Sequence, residues 1–440
     1  FEYHHMEEFR RGGDLLNRPP HEANVAEQTE HSINGGGLKF DYFSPNEKHR
    51  FNVFASAQHI NRDSYYGGGQ DPNAYGNTTD LNWMAGSQYV YSFGKCIFMP
   101  ADLTAGIEFN QDKLEDNMWG YHRTVDQKVN IGSAFFQNEW KNEHWGFLIG
   151  GRLDKHNLID HVIFSPRANL RYNPTENINL RFSYSSGFRA PQAFDEDLHV
   201  ENVGGNVAMV ELADNLKEER SQSLSASADI YHRFGAFQVN FLVEGFYTKL
   251  SDVFALTDGE VVDGILTRTR HNASGAQVLG LTLEGKMAYL NKIQVQAGVT
   301  LQQSHYSKPH IWNKEAPAVK KMMRTPNTYG YFTATYTPIK PLSIALSGTY
   351  TGSMLVPHEP VPGFLENPIT VNTKDFFDIG LKAAYDFKLY KSMNLQLNAG
   401  IQNIFNAYQD DFDKGADRDS GYIYGPSLPR SFFAGVKISY

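Results

Sequence analysis

Residues 183–223 read SYSSGFRAPQAFDEDLHVENVGGNVAMVELADNLKEERSQS, and their pattern decides the fold. The stretch is entered through an alternating run, with Ile178, Leu180, Phe182 and Tyr184 on one side and Asn179, Arg181, Ser183 and Ser185 on the other. It breaks at Gly187 into a long polar link. It leaves as a second alternating run, in which Leu224, Ala226, Ala228 and Ile230 oppose Ser223, Ser225, Ser227 and Asp229. Period two sustained over that length marks a strand with two unlike faces. One face is apolar or aromatic, and the other is small and polar.

The same arrangement repeats outward from this stretch in both directions. About eighteen alternating runs can be counted. In one, Phe237, Val239, Phe241 and Val243 oppose Gln238, Asn240 and Glu244; in another, Val295, Ala297 and Val299 oppose Gln294, Gln296 and Thr300. Toward the end, Leu395, Leu397 and Ala399 oppose Asn394, Gln396 and Asn398, and Phe432, Ala434, Val436 and Ile438 oppose Phe433, Gly435, Lys437 and Ser439. The polar faces are rich in Gln, Asn, Ser and Thr, which suits a wet lumen better than an open surface rich in Lys and Glu.

The links between runs alternate in length. Short turn-rich links are read at Pro45–Lys48, Lys141–Glu143, Asn173–Asn177, Arg233–Gly235 and Leu290–Lys292. Long polar links are read at Arg11–Ala26, Asp63–Thr78, Leu114–Arg123, Phe188–Lys217, Ser307–Lys321, Thr351–Asn372 and Ala407–Ser427. Tight turns at one end and extended loops at the other are the pattern of an outer-membrane barrel. No window holds the roughly 18 apolar residues of a spanning helix, but a spanning strand needs only about 9–11 residues and can alternate. The aromatic content of 13% supplies rings for the two membrane interfaces.

Composition sets further bounds. The 440 residues carry a net charge of -9, which argues against nucleic acid as a partner, since phosphate binding requires basic patches. The single cysteine, Cys96, has no partner for an internal disulfide and reads as a bystander in a short turn. There is no G-x-S-x-G elbow, no phosphate-cradling glycine loop and no supported pair of catalytic carboxylates, so no enzyme is expected. The run Gly35-Gly36-Gly37 lies inside a strand and marks a bulge or close packing.

Several short motifs resemble those of TonB-dependent outer-membrane receptors. GFRAP at 187–191 followed by NLKEERS at 215–221 is similar to that family's FRAP … NPxLKPE signature. GFLIGGRLDKH at 146–156, FSPRANLRYNP at 164–174, NIFNAYQ at 403–409 and the closing IYGPSLPRSFFAGVKISY at 423–440 add to the likeness. The prolines of NPxLKPE are replaced here, with Asp214 and Glu218 in their places. The resemblance implies a transmembrane antiparallel β-barrel of about 22 strands filled by a plug. Residues 1–440 are then expected to be part of one such all-β barrel domain, the C-terminal portion of a longer receptor, with the plug and first strands upstream. It implies import of a scarce nutrient, first an iron chelate (siderophore or haem) and next cobalamin. A passive porin or adhesive barrel is the other reading. The partners so implied are outer-membrane lipid, the TonB motor through the plug and a small-molecule chelate, with a surface lipoprotein left open. No resident cofactor is expected; iron or cobalt would belong to the cargo.

Candidate binding residues follow from side-chain chemistry. His31 and His122 fall at outward strand ends or loops, and imidazole is a good ligand for haem iron or transition metals. His199 lies between GFRAP and NLKEERS, the interval in which haem receptors of the resembled family tend to carry a histidine. Each also reads as a hydrated loop residue. Arg189 stands at a strand–loop corner, where its donor fork suits an anionic substrate or a structural ion pair. Tyr65, Tyr66, Trp119, Tyr121 and Trp312 are expected on outer loops, gripping a planar or aromatic chelate or packing the loops together. DDFDKGADRDSG at 410–421 is rich in carboxylates but lacks the ligand spacing of a helix-loop-helix calcium site.

Overall fold

The computed structural model describes residues 1–191, 207–262, 265–390, 392–415, 418–419, 421–426 and 428–440. The chain runs through β1 (Glu2–Gly13), β2 (Val25–Phe43), β3 (His49–Gly68), β4 (Tyr75–Cys96), β5 (Met99–Met118) and β6 (Arg123–Lys141). It continues through β7 (Trp145–His156), β8 (Ile163–Thr175), β9 (Ile178–Arg189), β10 (Val207–Leu212), β11 (Glu219–Phe234) and β12 (Phe237–Ser251). Next come β13 (Phe254–Val262), β14 (Ile265–Asn272), β15 (Ala276–Tyr289), β16 (Ile293–His310), β17 (Val319–Lys321) and β18 (Thr328–Ile339). The last are β19 (Leu342–Thr351), β20 (Leu355–His358), β21 (Ile369–Asn372), β22 (Phe376–Tyr390), β23 (Met393–Gln402) and β24 (Ser431–Ser439).

Among the described residues one 19-stranded sheet holds all of these except β10, β13 and β14, which form a small sheet of their own, and the pair β20–β21. The short β17 lies beside the outer end of β16. The remaining strands form an antiparallel meander, each paired to the next long strand from β1 through β9 and β11 to β24, in line with the eighteen runs of the sequence. No pairing joins β1 to β24 among the described residues. No helix of the described residues is long and apolar enough to cross a membrane.

The register places the alternation as expected. On β24, Phe432, Val436 and Ile438 are 73%, 66% and 65% exposed. Across from them on β23, Leu397 is also exposed, through the pair Leu397↔Val436. Water does not tolerate apolar rows of that extent, and lipid does. On the opposite face the side chains bond one another around the bore. Arg152 donates to Glu108 and to Asp154 at 2.7 Å each, and Ser133 donates to Asp154 at 2.7 Å. Lumen-facing rings lie flat against glycines directly opposite: Phe54 on Gly86, Phe135 on Gly106, Phe246 on Gly280 and Phe433 on Gly400. The triple glycine behaves likewise. It sits within unbroken β2 pairing, and the His4 imidazole covers Gly35.

The short-turn end carries an aromatic belt. Asn142 accepts the backbone N–H groups of His144 and Trp145, closing the turn. Trp145 then stacks on Tyr172 at 4.1 Å and on Phe147 at 5.7 Å.

At the other end the structure corrects two of the expected loops. Strands β2 to β6 have 19, 20, 22, 20 and 19 residues, against 12 each for β7 and β9. The links read at 63–78 and 114–123 contract to the turns 69–74 and 119–122, because their flanks continue the ladder. The reason is physical. Above the lipid both faces of a strand are polar, so hydrophobic alternation stops while backbone pairing does not. Lys113 and Glu115 on the outer face of β5 form an ion pair at 2.5 Å where lipid-facing Ile107 and Phe109 stand lower down. Alternation in the sequence runs on from 264 to 288 and reads as one strand, but the structure has two, β14 and β15, split at residues 273–275.

Candidate functional site

The outer end of β9 begins the site. Pro191 has no N–H to extend the ladder, so the strand stops at Arg189, paired in register with Glu219 on β11. The Arg189 Nη1 lies 3.7 Å from the Glu219 carboxylate. That carboxylate also accepts the backbone N–H of Phe254, fixing the start of β13 beside β9. One residue earlier, buried Glu218 accepts from Arg220 Nε at 2.8 Å and from His161 Nε2 at 3.1 Å. Burial would push the Glu218 carboxyl up, but these donors, Arg220 foremost, hold it below its ordinary range.

Between β12 and β15 the chain makes the β13–β14 hairpin, and β10 adds to it in parallel. Period two puts Arg268 and Arg270 of β14 on one face. The guanidinium carbons of Arg189 and Arg270 lie 5.7 and 6.0 Å from the centroid of the Phe254 ring. The tip of β16 supplies Tyr306 and His310, with ring centroids 4.7 Å apart, and Trp312 follows. Together with Glu359 these residues line a cavity of about 380 Å³. A neighbouring chamber of about 430 Å³ is lined by His271, Lys308 and Lys314, and shares Ala255, Leu256, Ala273, His310 and Trp312 with the first. The indole N–H of Trp312 is buried and has no hydrogen-bond partner among the described residues.

This pair of chambers lies above the lipid band, since the outer row of β16 passes from Val299 and Leu301 to Gln303, His305 and Ser307. Burial holds the Tyr306 phenol up, and burial together with His271 holds His310 down. Both rings are therefore neutral near pH 7.

The other residues expected to bind lie elsewhere. Tyr65 and Tyr66 end β3 instead of sitting on a loop, and they are 1% and 4% exposed. Tyr65 packs with Ala23, Ala26 and Ala74, and Tyr66 with Met118. Tyr121 packs against both clusters, and its hydroxyl donates to Asp71, whose carbonyl accepts from Tyr65 at 2.8 Å. These three rings brace the tall β3–β6 wall. Trp119 is 63% exposed at its tip, and His122 follows in a left-handed turn. His31 faces the bore on β2, opposite Arg62. On that face Arg123 donates to Asp116 at 2.6 Å and Arg62 to Thr78 at 2.7 Å, all four buried. His199 and the nearby Asp195, Glu196 and Asp197 lie outside the described residues.

Asp410, Asp411 and Asp413 of the 410–421 stretch are each engaged by neighbouring side chains. Asp410 pairs with Lys374 at 2.8 Å, Asp411 accepts from Tyr424 at 2.6 Å, and Asp413 meets His358 Nε2 at 2.9 Å. His358 stacks on Tyr422 at 3.8 Å. Among the described residues no group of three or more His, Cys, Asp or Glu is arranged to hold a metal ion.

Sequence reading pointed to Arg189 and Trp312 but missed Phe254, Arg268 and Arg270. The available signal was the alternating Arg-Thr-Arg of 268–270, two cations on one face of a strand that the long run 264–288 concealed.

The family model described as TonB dependent receptor-like, beta-barrel matches residues 9–404. The chain belongs to the TonB-dependent receptor family. Solved structures of similar fold include the siderophore receptor PirA from Acinetobacter baumannii, with TM-score 0.67 and 13% identity over 94% of this chain and 62% of that one. The Ferric-Catecholate import receptor Fiu from K12 E. coli gives TM-score 0.66 and 13% identity over 94% and 64%. The outer membrane transporter YddB from Escherichia coli gives 0.71 and 9% over 99% and 65%. The chain thus spans under two thirds of the length of these three proteins, and the likeness to them is one of fold. No curated protein matches it in sequence.

Proposed function

We propose that this chain is the larger part of the barrel domain of an outer-membrane receptor that imports an iron chelate. Capture would occur in the outer chambers, and passage through the polar bore would be driven by the TonB motor acting on a plug. The observation that carries this reading is the cavity lined by Arg189, Arg268, Arg270, Phe254 and Trp312. A passive porin has no use for a concave site with convergent cations and rings, whereas a receptor that concentrates a scarce solute does. The names of several structural neighbours, receptors for siderophores and ferric catecholates, agree with it.

Uptake of iron-55 chelates by a strain deleted for the gene tests the proposal. Loss of uptake for at least one chelate, restored by the gene and abolished when the proton gradient is collapsed, is expected. Unchanged uptake of every iron source would contradict it.

A further inference from the structure

We infer that the short-turn half of the bore, along β8, β9 and the wall from β11 to β18, is the seat of a further polypeptide segment whose carboxylates pair with Arg171 and Arg181. The inference goes beyond the importer reading, since it concerns what lies in the bore and not what is carried through it.

Below the Arg189 corner, period two places Arg167, Arg171 and Arg181 on the bore faces of β8 and β9 among Ser and Asn side chains, with no carboxylate. Arg171 stands directly across from Arg181. Like charges directly opposed destabilise a strand pair, and an anion between them removes the penalty. The wall does not supply that anion. Arg171 donates through Nη2 to the carbonyl oxygens of Asn142 and Trp145, at 2.8 and 3.4 Å, and Arg181 donates through Nε to Asn179 Oδ1 at 2.7 Å. These acceptors are neutral, and Arg171 Nε is buried with no partner among the described residues.

The bore-facing carboxylates of the adjoining strands are engaged or distant. Lys141 binds Asp102 and Glu139, and Arg152 binds Glu108 and Asp154. Asp229 accepts from Tyr231 at 2.8 Å and from Asn240, and Glu284 pairs with Lys286 at 2.7 Å. Glu244 is two strands from Arg181, with Ser227 between them, or about 10 Å. On the other side Gly146 lies opposite Arg171 and raises no side chain into the bore.

Beyond β11 the wall opens into a hollow of about 350 Å³, lined by the amides of Gln238, Asn240, Gln294 and Gln296 and the hydroxyls of Thr333 and Thr335. Each amide offers donors and an acceptor, the complement of a peptide backbone. A compact anion would meet the arginines and leave the amides to water. An extended segment bearing carboxylates meets both, through charge-assisted forks at β8 and β9 and through backbone bonds in the hollow. Tyr231 is the one ring in the lining, so aryl groups find little to stack on.

A carbodiimide condenses an amine with a carboxylate, with loss of water, and leaves guanidinium groups untouched. The full-length receptor is treated with it in outer-membrane vesicles as the parent, as Arg171→Lys and as Arg181→Lys, and peptide mass mapping locates each new amide. At least one variant is expected to gain an amide, absent from the parent, between the substituted position and an Asp or Glu of a segment that is no part of the wall, its turns or its loops. Amides only to the wall or its turns, such as Asp229, Glu244 or Glu176, would overturn the inference. So would an adduct with a small molecule, or no new amide in either variant. The double variant Arg171→Glu with Arg181→Glu should unseat the segment, read as a loss of vancomycin exclusion in cells whose barrel keeps its heat-modifiable electrophoretic mobility. Exclusion equal to the parent's would contradict the inference. Neither readout depends on cargo, so failure of iron uptake would refute the importer and leave this seat standing.

Discussion

Glu218 shows how one side chain ties the site together. It occupies a position where the resembled signature has proline, and it is buried against Arg220 and His161, next to the Glu219 that anchors Arg189 and Phe254. Its folded pKa is depressed, so its contribution is full above the unfolded value near about 4.3 and is lost as pH falls through the folded value. Glu218→Gln should therefore raise amide hydrogen exchange in residues 158–162 at pH 7, by an opening free energy of about 1–3 kcal/mol. As pH falls through the folded value the parent should approach the variant. Equal exchange at neutral pH would show that the carboxylate does not hold that loop. Legibility was poorest at this scale. The missing proline was visible, but which partners a carboxylate finds depends on β8, β9 and β11 meeting, and no local pattern encodes that. Arg268 and Arg270 were missed for another reason: continuous alternation around them hid the break between β14 and β15.

Strands were the most legible elements, because lipid on one side and water on the other impose period two on the sequence itself. The pairs of the meander, from Glu2↔Gly37 to Asn394↔Ser439, follow from it. Boundaries failed where that contrast ended, in the tall β2–β6 wall and at the β14–β15 break. What alternation does not announce is the use of glycine. A Cβ on Gly106 would stand 2.4 Å from the Phe135 ring and 2.6 Å from the Ser87 carbonyl oxygen, whereas one on Gly132 would meet nothing within 4 Å. Gly106→Val should cost about 1–3 kcal/mol by overpacking. Gly132→Val, on the neighbouring strand, should be neutral or stabilising, since valine favours strands. Urea midpoints for folding into lipid vesicles measure both, and equal midpoints would mean that the ring moves aside freely.

At the scale of the molecule, each long strand divides its two faces between lipid and water. Rows such as Val295, Ala297 and Val299 face lipid, and Gln294, Gln296 and Thr300 face the bore. The family match and the strand order agree with this division. The motifs made it legible early, since their order along the chain reflects the order of strands around the barrel. The outer chambers were not legible, because they are assembled from segments as far apart in sequence as Arg189 and Glu359. The most direct measurement is nitroxide scanning of β16 in outer-membrane vesicles, one cysteine at a time in a Cys96→Ser background. Labels at 295, 297 and 299 should relax with oxygen dissolved in lipid, and labels at 294, 296 and 300 with a water-soluble nickel chelate, in strict alternation. If the odd positions are shielded from oxygen, or if both rows respond alike to nickel, the barrel does not face lipid as described here.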